Sequence, residues 1–276
     1  MKGSPLDIDF EKLWKQGMHD WYGVMPERMT NDALEEAFWE QSMQKKTYRQ
    51  TDAHAKSIYA KIRKYIPENA TCLEIGPGWG NYTFPLREDV VQLTLVDGSE
   101  SVLRYLQQYF VEDEAVQFVH AKWEEAQVEP HDIVIGVNCY YRIYEMNASL
   151  LKMNMLAKKR AIIGLTTGPI QPHYVVLDQQ YGYKIKYPRR DYIEIVNMLY
   201  QLGIYADCEM LPLERTYRYD SYEALYNAQS KKILNETFRV DDIKSALVDF
   251  ISEENGQIVY RHKFYAAIIS WEPVKI

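Results

Sequence analysis

The side chains and glycines best able to do chemistry in this 276-residue chain begin at Cys72-Leu73-Glu74-Ile75-Gly76-Pro77-Gly78-Trp79-Gly80-Asn81-Tyr82, a short apolar run with one carboxylate followed by closely spaced glycines. An apolar run ending in Gly-x-Gly-x-Gly reads as a buried strand turning tightly into a helix, and the missing Cβ atoms let backbone approach a ligand. In the dinucleotide fingerprint the third glycine comes three residues after the second; Asn81 holds that place here. Glu74, two residues before Gly76, would repel a pyrophosphate and suits a cation. Asp97 ends the apolar run Leu93-Thr94-Leu95-Val96, 21 positions after Gly76, about where an acidic residue on the next strand meets ribose hydroxyls. These parts describe a site for adenosine with a positively charged tail.

Leu73-Glu74-Ile75-Gly76-Pro77-Gly78-Trp79-Gly80, together with Val96-Asp97-Gly98-Ser99, resembles the cofactor-binding motifs of class I S-adenosylmethionine-dependent methyltransferases. The resemblance covers residues 52–166, and the later strands by pattern only. It implies an α/β fold, a Rossmann-like, doubly wound, mostly parallel sheet of about seven strands whose last strand is antiparallel. The implied cofactor is S-adenosyl-L-methionine, with S-adenosyl-L-homocysteine as product. Its implied binding residues are Glu74, Gly76, Gly78, Gly80, Asp97, Gly98 and Ser99, joined by Lys122 and Trp123 after the third strand and Asn138 after the fourth. Trp123 either stacks on adenine or packs the base of a loop.

The acceptor side of the site is read from the end of the fourth strand, because ligands of open parallel sheets bind at the carboxyl ends of strands. Asn138-Cys139-Tyr140-Tyr141 falls there. Asn138 and Tyr141 match the first and fourth places of the Asn-Pro-Pro-Tyr motif of amino-methylating enzymes, without its prolines. The catalytic candidates are Asn138, Tyr141 and His173, and the substrate-binding candidates are Tyr22, Tyr140, Tyr141 and His173. Methyl transfer from a sulfonium is an in-line displacement needing mainly positioning and desolvation, and a base only where the nucleophile starts protonated. The function expected is methyl transfer to a small molecule. The alternatives are a protein or nucleic-acid N-methyltransferase and a non-catalytic S-adenosylmethionine-binding protein; Asn81 and Glu74 disfavour a nicotinamide oxidoreductase.

Composition narrows the partners. Lys and Arg total 32 against 39 Asp and Glu, a formal charge of -7, so no overall field favours nucleic acid or an anionic membrane. Basic pairs such as Lys45-Lys46, Arg189-Arg190 and Lys231-Lys232 are scattered. No apolar run approaches a membrane span and no signal-peptide core opens the chain; a cytoplasmic location is the expectation. Cys72, Cys139 and Cys208 lack the paired spacing of a zinc site, so no metal is expected and the thiols read as buried and reduced.

The elements that position these residues follow from periodicity. Residues 1–51 are rich in aromatics and methionines from Phe10 to Tyr48, with Leu34, Phe38 and Trp39 on one helix face,; they either pack onto the domain as a structural layer or form the N-terminal helical cap or lid that the resemblance implies. The resemblance implies that residues 52–276 form the methyltransferase domain, with insertions at about 167–190 and 217–258. Helices are expected over 52–66, from 82, after Ser99, over 146–157, 192–202, 222–234 and 243–251,. Strands are expected at 72–75, 93–96, 116–119, 133–137, 160–166, 204–213 and 263–271,. Between residue 166 and Tyr192 the prolines and tyrosines read as a long loop, either a wall of the substrate pocket or a structural insertion,.

Overall fold

Local capping and apolar periodicity account for most helices of the computed structural model, which describes residues 7–45 and 52–275. Lys46, Tyr48 and the expected boundary at residue 51 lie outside the described residues. Asp9 starts α1 (Phe10–Gly17) by accepting from the Lys12 amide at 2.8 Å,. This helix buries Trp14, whose indole N–H donates to the Ile143 carbonyl at 2.8 Å. After α2 (Glu27–Thr30) comes α3 (Asp32–Lys45), which buries only Glu35 and Met43. So little apolar burial leaves α3 to be held mainly by its polar side chains.

From Asp52, the cap of α4 (Ala53–Ile62), strands and helices alternate through β1 (Thr71–Ile75), α5 (Thr83–Asp89), β2 (Gln92–Asp97), α6 (Glu100–Gln107), β3 (Val116–His120), β4 (His131–Val137), α7 (Met146–Leu156) and β5 (Ala157–Thr167). β1 pairs in parallel with β2 and β4, β2 with β3, and β4 with β5. Residues 72–75 and 93–96 are buried, which is why these strands read as mainly apolar runs, interrupted by Glu74 and Thr94, without a solvent-facing alternation. Strand order reverses at β1, so the carboxyl ends of β1 and β4 flank the crevice where such sheets take ligands.

The rest of the chain contributes α8 (Pro172–Tyr181), α9 (Tyr192–Gln201), β6 (Asp207–Tyr219), α10 (Tyr222–Ser230), α11 (Val240–Leu247), β7 (Ile251–Glu254) and β8 (Gln257–Trp271). The sheet has eight strands in the order β3-β2-β1-β4-β5-β8-β6, with β7 antiparallel on β8. Part of the stretch expected as loop is helix α8. Pro172 stands in its first turn, where a missing amide costs nothing, and Gly182 at φ 72° closes it,. The helix expected to reach Ile251 ends at Leu247, and β7 follows a short 3-10 turn; β8 starts six residues before the expected strand.

Two compact units result. One holds the chain up to Leu165, Arg189–Met210 and the chain from Ala267; the other holds Thr166–Pro188 and Leu211–Ala266. The first unit centres on Leu73, Ile75, Val134 and Ile163 with Met146, Leu150 and Met198 packed against them. The second centres on Tyr174, Leu177, Leu225, Ile243, Leu247 and Tyr260. Among the described residues no helix is long and apolar enough to cross a membrane, and no group of three or more His, Cys, Asp or Glu is placed to hold a metal.

Candidate active site

The glycine turn stands at the carboxyl end of β1 and touches the turn after β4. Gly76 has φ 60°, and a Cβ there would come within 2.5 Å of the Cys139 Cβ, so the two turns meet only because residue 76 lacks a side chain. Gly78, at φ 52°, faces α3; the Trp39 ring would lie 3.4 Å from a Cβ at that position. Trp39 also meets Trp79 edge-on, with centroids 5.7 Å apart.

Two carboxylates mark the turn. Glu74 is 3% exposed and accepts a 2.7 Å hydrogen bond from Thr83 Oγ1. Burial pushes its carboxyl up to about 8; the Thr83 bond opposes the rise and the neighbouring Asp97 adds to it,. Asp97 accepts from the Ser99 amide at 2.8 Å. Burial raises it to about 6 against the hydrogen bonds of the Ser99 and Gly78 amides, and Glu36 and Glu35 push in the same direction as burial. Among the described residues neither Glu74 nor Asp97 has a basic side chain in ion-pair contact. A ligand bringing a positive charge and hydroxyl donors would supply what these two carboxylates lack.

Other residues singled out in the sequence fall in varied surroundings. Ser99 caps α6, accepting from the Val102 amide at 3.3 Å. Gly98 is exposed, with the Lys122 stem 3.6 Å from its Cβ position. Lys122 directs its ammonium to Asp32 of α3, 2.6 Å away. Gly80 packs its bare Cα against Phe84 and Leu106. Asn138 is exposed after β4, in left-handed backbone at φ 54°, its amide donating to the Gly164 carbonyl at 2.9 Å. Tyr22 is 72% exposed in the turn after α1.

Three candidates belong to the interior. Trp123 is 4% exposed, its indole N–H donating to Ser149 Oγ at 2.8 Å and the Lys152 ammonium lying 4.5 Å from its ring centre. It packs the loop base, so the adenine-stacking expectation gives way to the packing one. Tyr140 is 1% exposed and donates to the Gly136 carbonyl at 3.2 Å, a core residue and not a pocket wall. His173 is fully buried in the second unit, with Nδ1 2.9 Å from the Tyr260 hydroxyl. Burial, with Lys232 and His262 adding to it, lowers its imidazole to about 3. It is a neutral core residue and too weakly basic for the catalytic role expected of it.

Tyr141 instead joins a polar network that the sequence did not reveal. Its hydroxyl donates to Glu35 Oε1, and the Trp39 indole N–H is shared between that oxygen at 2.8 Å and the Tyr141 hydroxyl at 3.2 Å. Glu35 Oε2 forms a 2.9 Å ion pair with Arg28 Nε whose angle departs from a hydrogen bond. The Arg28 guanidinium covers the Phe38 ring at 3.8 Å. Burial, and then the bond to Glu35, push the Tyr141 phenol up, so it stays protonated. One residue on, Glu36 Oε1 accepts from the Ser101 amide at 2.9 Å and its hydroxyl at 2.6 Å. With Asp32 paired to Lys122 and to Arg142, α3 is tied across the carboxyl ends of the strands by charge and hydrogen bonds. The four-residue spacing of Glu35 and Trp39 shows that they share a helix face; nothing in it points to Tyr141, 106 residues away.

No family model matches the sequence. No curated protein matches it. Solved structures do match by shape. A presumed methyltransferase of Bacillus halodurans superposes with a TM-score of 0.55 at 14% identity, over 79% of this chain and 100% of its own. The YcgJ protein of Bacillus subtilis gives 0.55 at 15% identity over 82% and 100%. The magnesium protoporphyrin IX methyltransferase of Synechocystis PCC 6803, with bound S-adenosylhomocysteine, gives 0.50 at 12% identity over 88% and 100%. The chain has the Rossmann-like fold of class I S-adenosylmethionine-dependent methyltransferases.

Proposed function

We propose that the protein moves the methyl group of S-adenosyl-L-methionine to a small-molecule acceptor. The observation that carries this reading is the pair of carboxylates, Glu74 and Asp97, at the carboxyl ends of adjacent strands beside Gly76 and Gly78, raised by burial and lacking a cation. Glu74 would meet the cationic part of the cofactor and Asp97 its ribose hydroxyls, while the glycines admit the ligand close to backbone. When bound, the cofactor supplies a methyl group already activated by its sulfonium.

The protein's own residues then orient the partners and exclude water. Asn138 and Tyr141 follow β4 at the crevice, and Tyr141 is fixed by Glu35 and Trp39, which suits a residue that orients an acceptor. The α3 segment acts as a lid, a reading supported by its polar attachment and slight apolar burial. A compact acceptor is favoured over a polynucleotide, which needs a basic track to neutralise phosphates, by the formal charge of -7. Calorimetric titration tests the cofactor, with S-adenosylhomocysteine binding and NAD not. Incubation with methyl-labelled cofactor and a cell extract, separated by size, tests the acceptor, with label appearing in the small-molecule fraction. Label in protein or RNA would overturn the acceptor class, and binding without transfer to any fraction would overturn catalysis.

A further inference from the structure

The second unit contains a cavity of about 270 Å³ lined by Arg215, Lys232, His262, Gln171 and the hydroxyl-bearing Thr166 and Thr167, with no carboxylate in its wall. Arg215 comes from β6, Lys232 from the segment after α10, and His262 from β8. Lys232 Nζ donates to Gln171 Oε1, a neutral acceptor, at 3.0 Å. The Arg215 guanidinium lies 5.4 Å from the Phe264 ring centre. Among the described residues neither cation has a carboxylate in ion-pair contact.

His262 adds an independent sign of a ligand. It is 9% exposed, one ring nitrogen donates to the Pro169 carbonyl, and the buried Nδ1 has no partner among the described residues. A buried polar atom left unpaired is costly, and so is the half-buried Lys232 ammonium with only a neutral acceptor,; Arg215 is exposed to solvent. Both costs fall when an anion enters. Its size follows from the volume, which is below the roughly 300–1,000 Å³ of sites for drug-sized ligands and leaves room for one anionic group with a few attached carbons.

We propose that this cavity binds a small organic oxyanion, a phosphate ester or a carboxylate, with Arg215 and Lys232 as charge partners and His262 Nδ1 as a further donor. To donate from Nδ1 while its other nitrogen holds Pro169, His262 must take up a proton, so anion binding and protonation are coupled. Lys232 and Arg215 oppose that proton in the empty cavity, after burial itself; His173 and Tyr217 are the other titratable groups around the ring. The bound anion reverses the balance. The site is independent of the methyl-transfer reading.

The test is calorimetric titration of the full chain with inorganic phosphate, glycerol 3-phosphate and succinate, at constant ionic strength, at about pH 6 and about pH 8. Saturable binding of at least one probe is expected, several-fold tighter at the lower pH. Preference for glycerol 3-phosphate over succinate identifies a phosphate ester, and the reverse a carboxylate. Arg215→Ala and Lys232→Ala should each weaken binding about tenfold or more, and His262→Gln should remove the pH dependence. Circular dichroism establishes that each variant is folded, and S-adenosylhomocysteine titration of the same samples reads the methyltransferase site separately. No saturable heat from any probe up to about 10 mM, or binding that survives both cation replacements, would overturn the proposal.

Discussion

Glu74 makes the clearest test of the site. Its carboxyl is raised to about 8 in the fold by burial, against about 4.3 in an unfolded chain. The folded protein therefore holds a proton that the unfolded chain has lost, and the stability this contributes is full below about pH 4 and lost as pH rises through 8. His173, lowered to about 3, and His131 and His262, also lowered by burial, act in the opposite sense up to their ordinary value near 6.5. Above that value the histidines no longer mask the carboxyl. From pH 6.5 to 8 Glu74 should cost about 1.5 × 1.36, or about 2 kcal/mol. At roughly 2–4 °C per kcal/mol for a protein of this size, the wild type should lose about 4–8 °C of melting temperature over that window. Glu74→Gln, neutral throughout, should not share this loss. Paired thermal melts at half-unit pH steps read the difference, and parallel curves for the two proteins would refute the idea that an uncompensated buried carboxylate sits at the turn. Adding a cationic cofactor should reduce the wild-type slope, because its charge favours the ionised form.

Asp97→Ala should weaken S-adenosylhomocysteine binding by about tenfold or more, since a charged acceptor for hydroxyl groups is lost; an unchanged calorimetric affinity would place the ribose elsewhere. Hydrogen exchange over residues 10–45 should slow on adding S-adenosylhomocysteine, because α3 buries so little apolar surface by itself,. Full protection without ligand would make that segment a fixed layer. Gly76→Ala should destabilise the protein by roughly 2–5 kcal/mol, from left-handed backbone and contact with Cys139,; a denaturant midpoint within error of wild type would show that the two turns separate easily.

The half of the fold from β1 to β5 is legible because β1, β2 and β4 are buried on both faces and the turns are made by glycine and capping residues, all local signals. The prolines make the stretch before Tyr192 read as loop and hide α8, although Pro172 stands in the first turn of that helix and Gly182 closes it. β7 is four residues, Ile-Ser-Glu-Glu, too short and polar to show as a strand. Position along the chain locates the turns after β3 and β4 without telling which aromatic side chain faces inward, which leaves Trp123 between stacking and packing and makes Tyr140 a pocket candidate. The α3 network and the Arg215-Lys232-His262 cavity depend on partners far apart in sequence, and no spacing rule reaches that distance.

The two compact units are interleaved along the chain, since Thr166–Pro188 and Leu211–Ala266 form one while Arg189–Met210 between them belongs to the other. Neither can be excised by a single pair of cuts. A nick in the Arg189–Met210 connector leaves both of its neighbours bound within their own unit, so limited proteolysis there need not release a fragment. Recombination between relatives that exchanged only one of the two stretches would bring together halves of a core shaped by different histories. During synthesis the same arrangement obliges Tyr174 and Leu177 to wait for Leu225, Ile243 and Tyr260 before they are enclosed, whereas β1 to β5 need nothing beyond residue 167 for their mutual pairing.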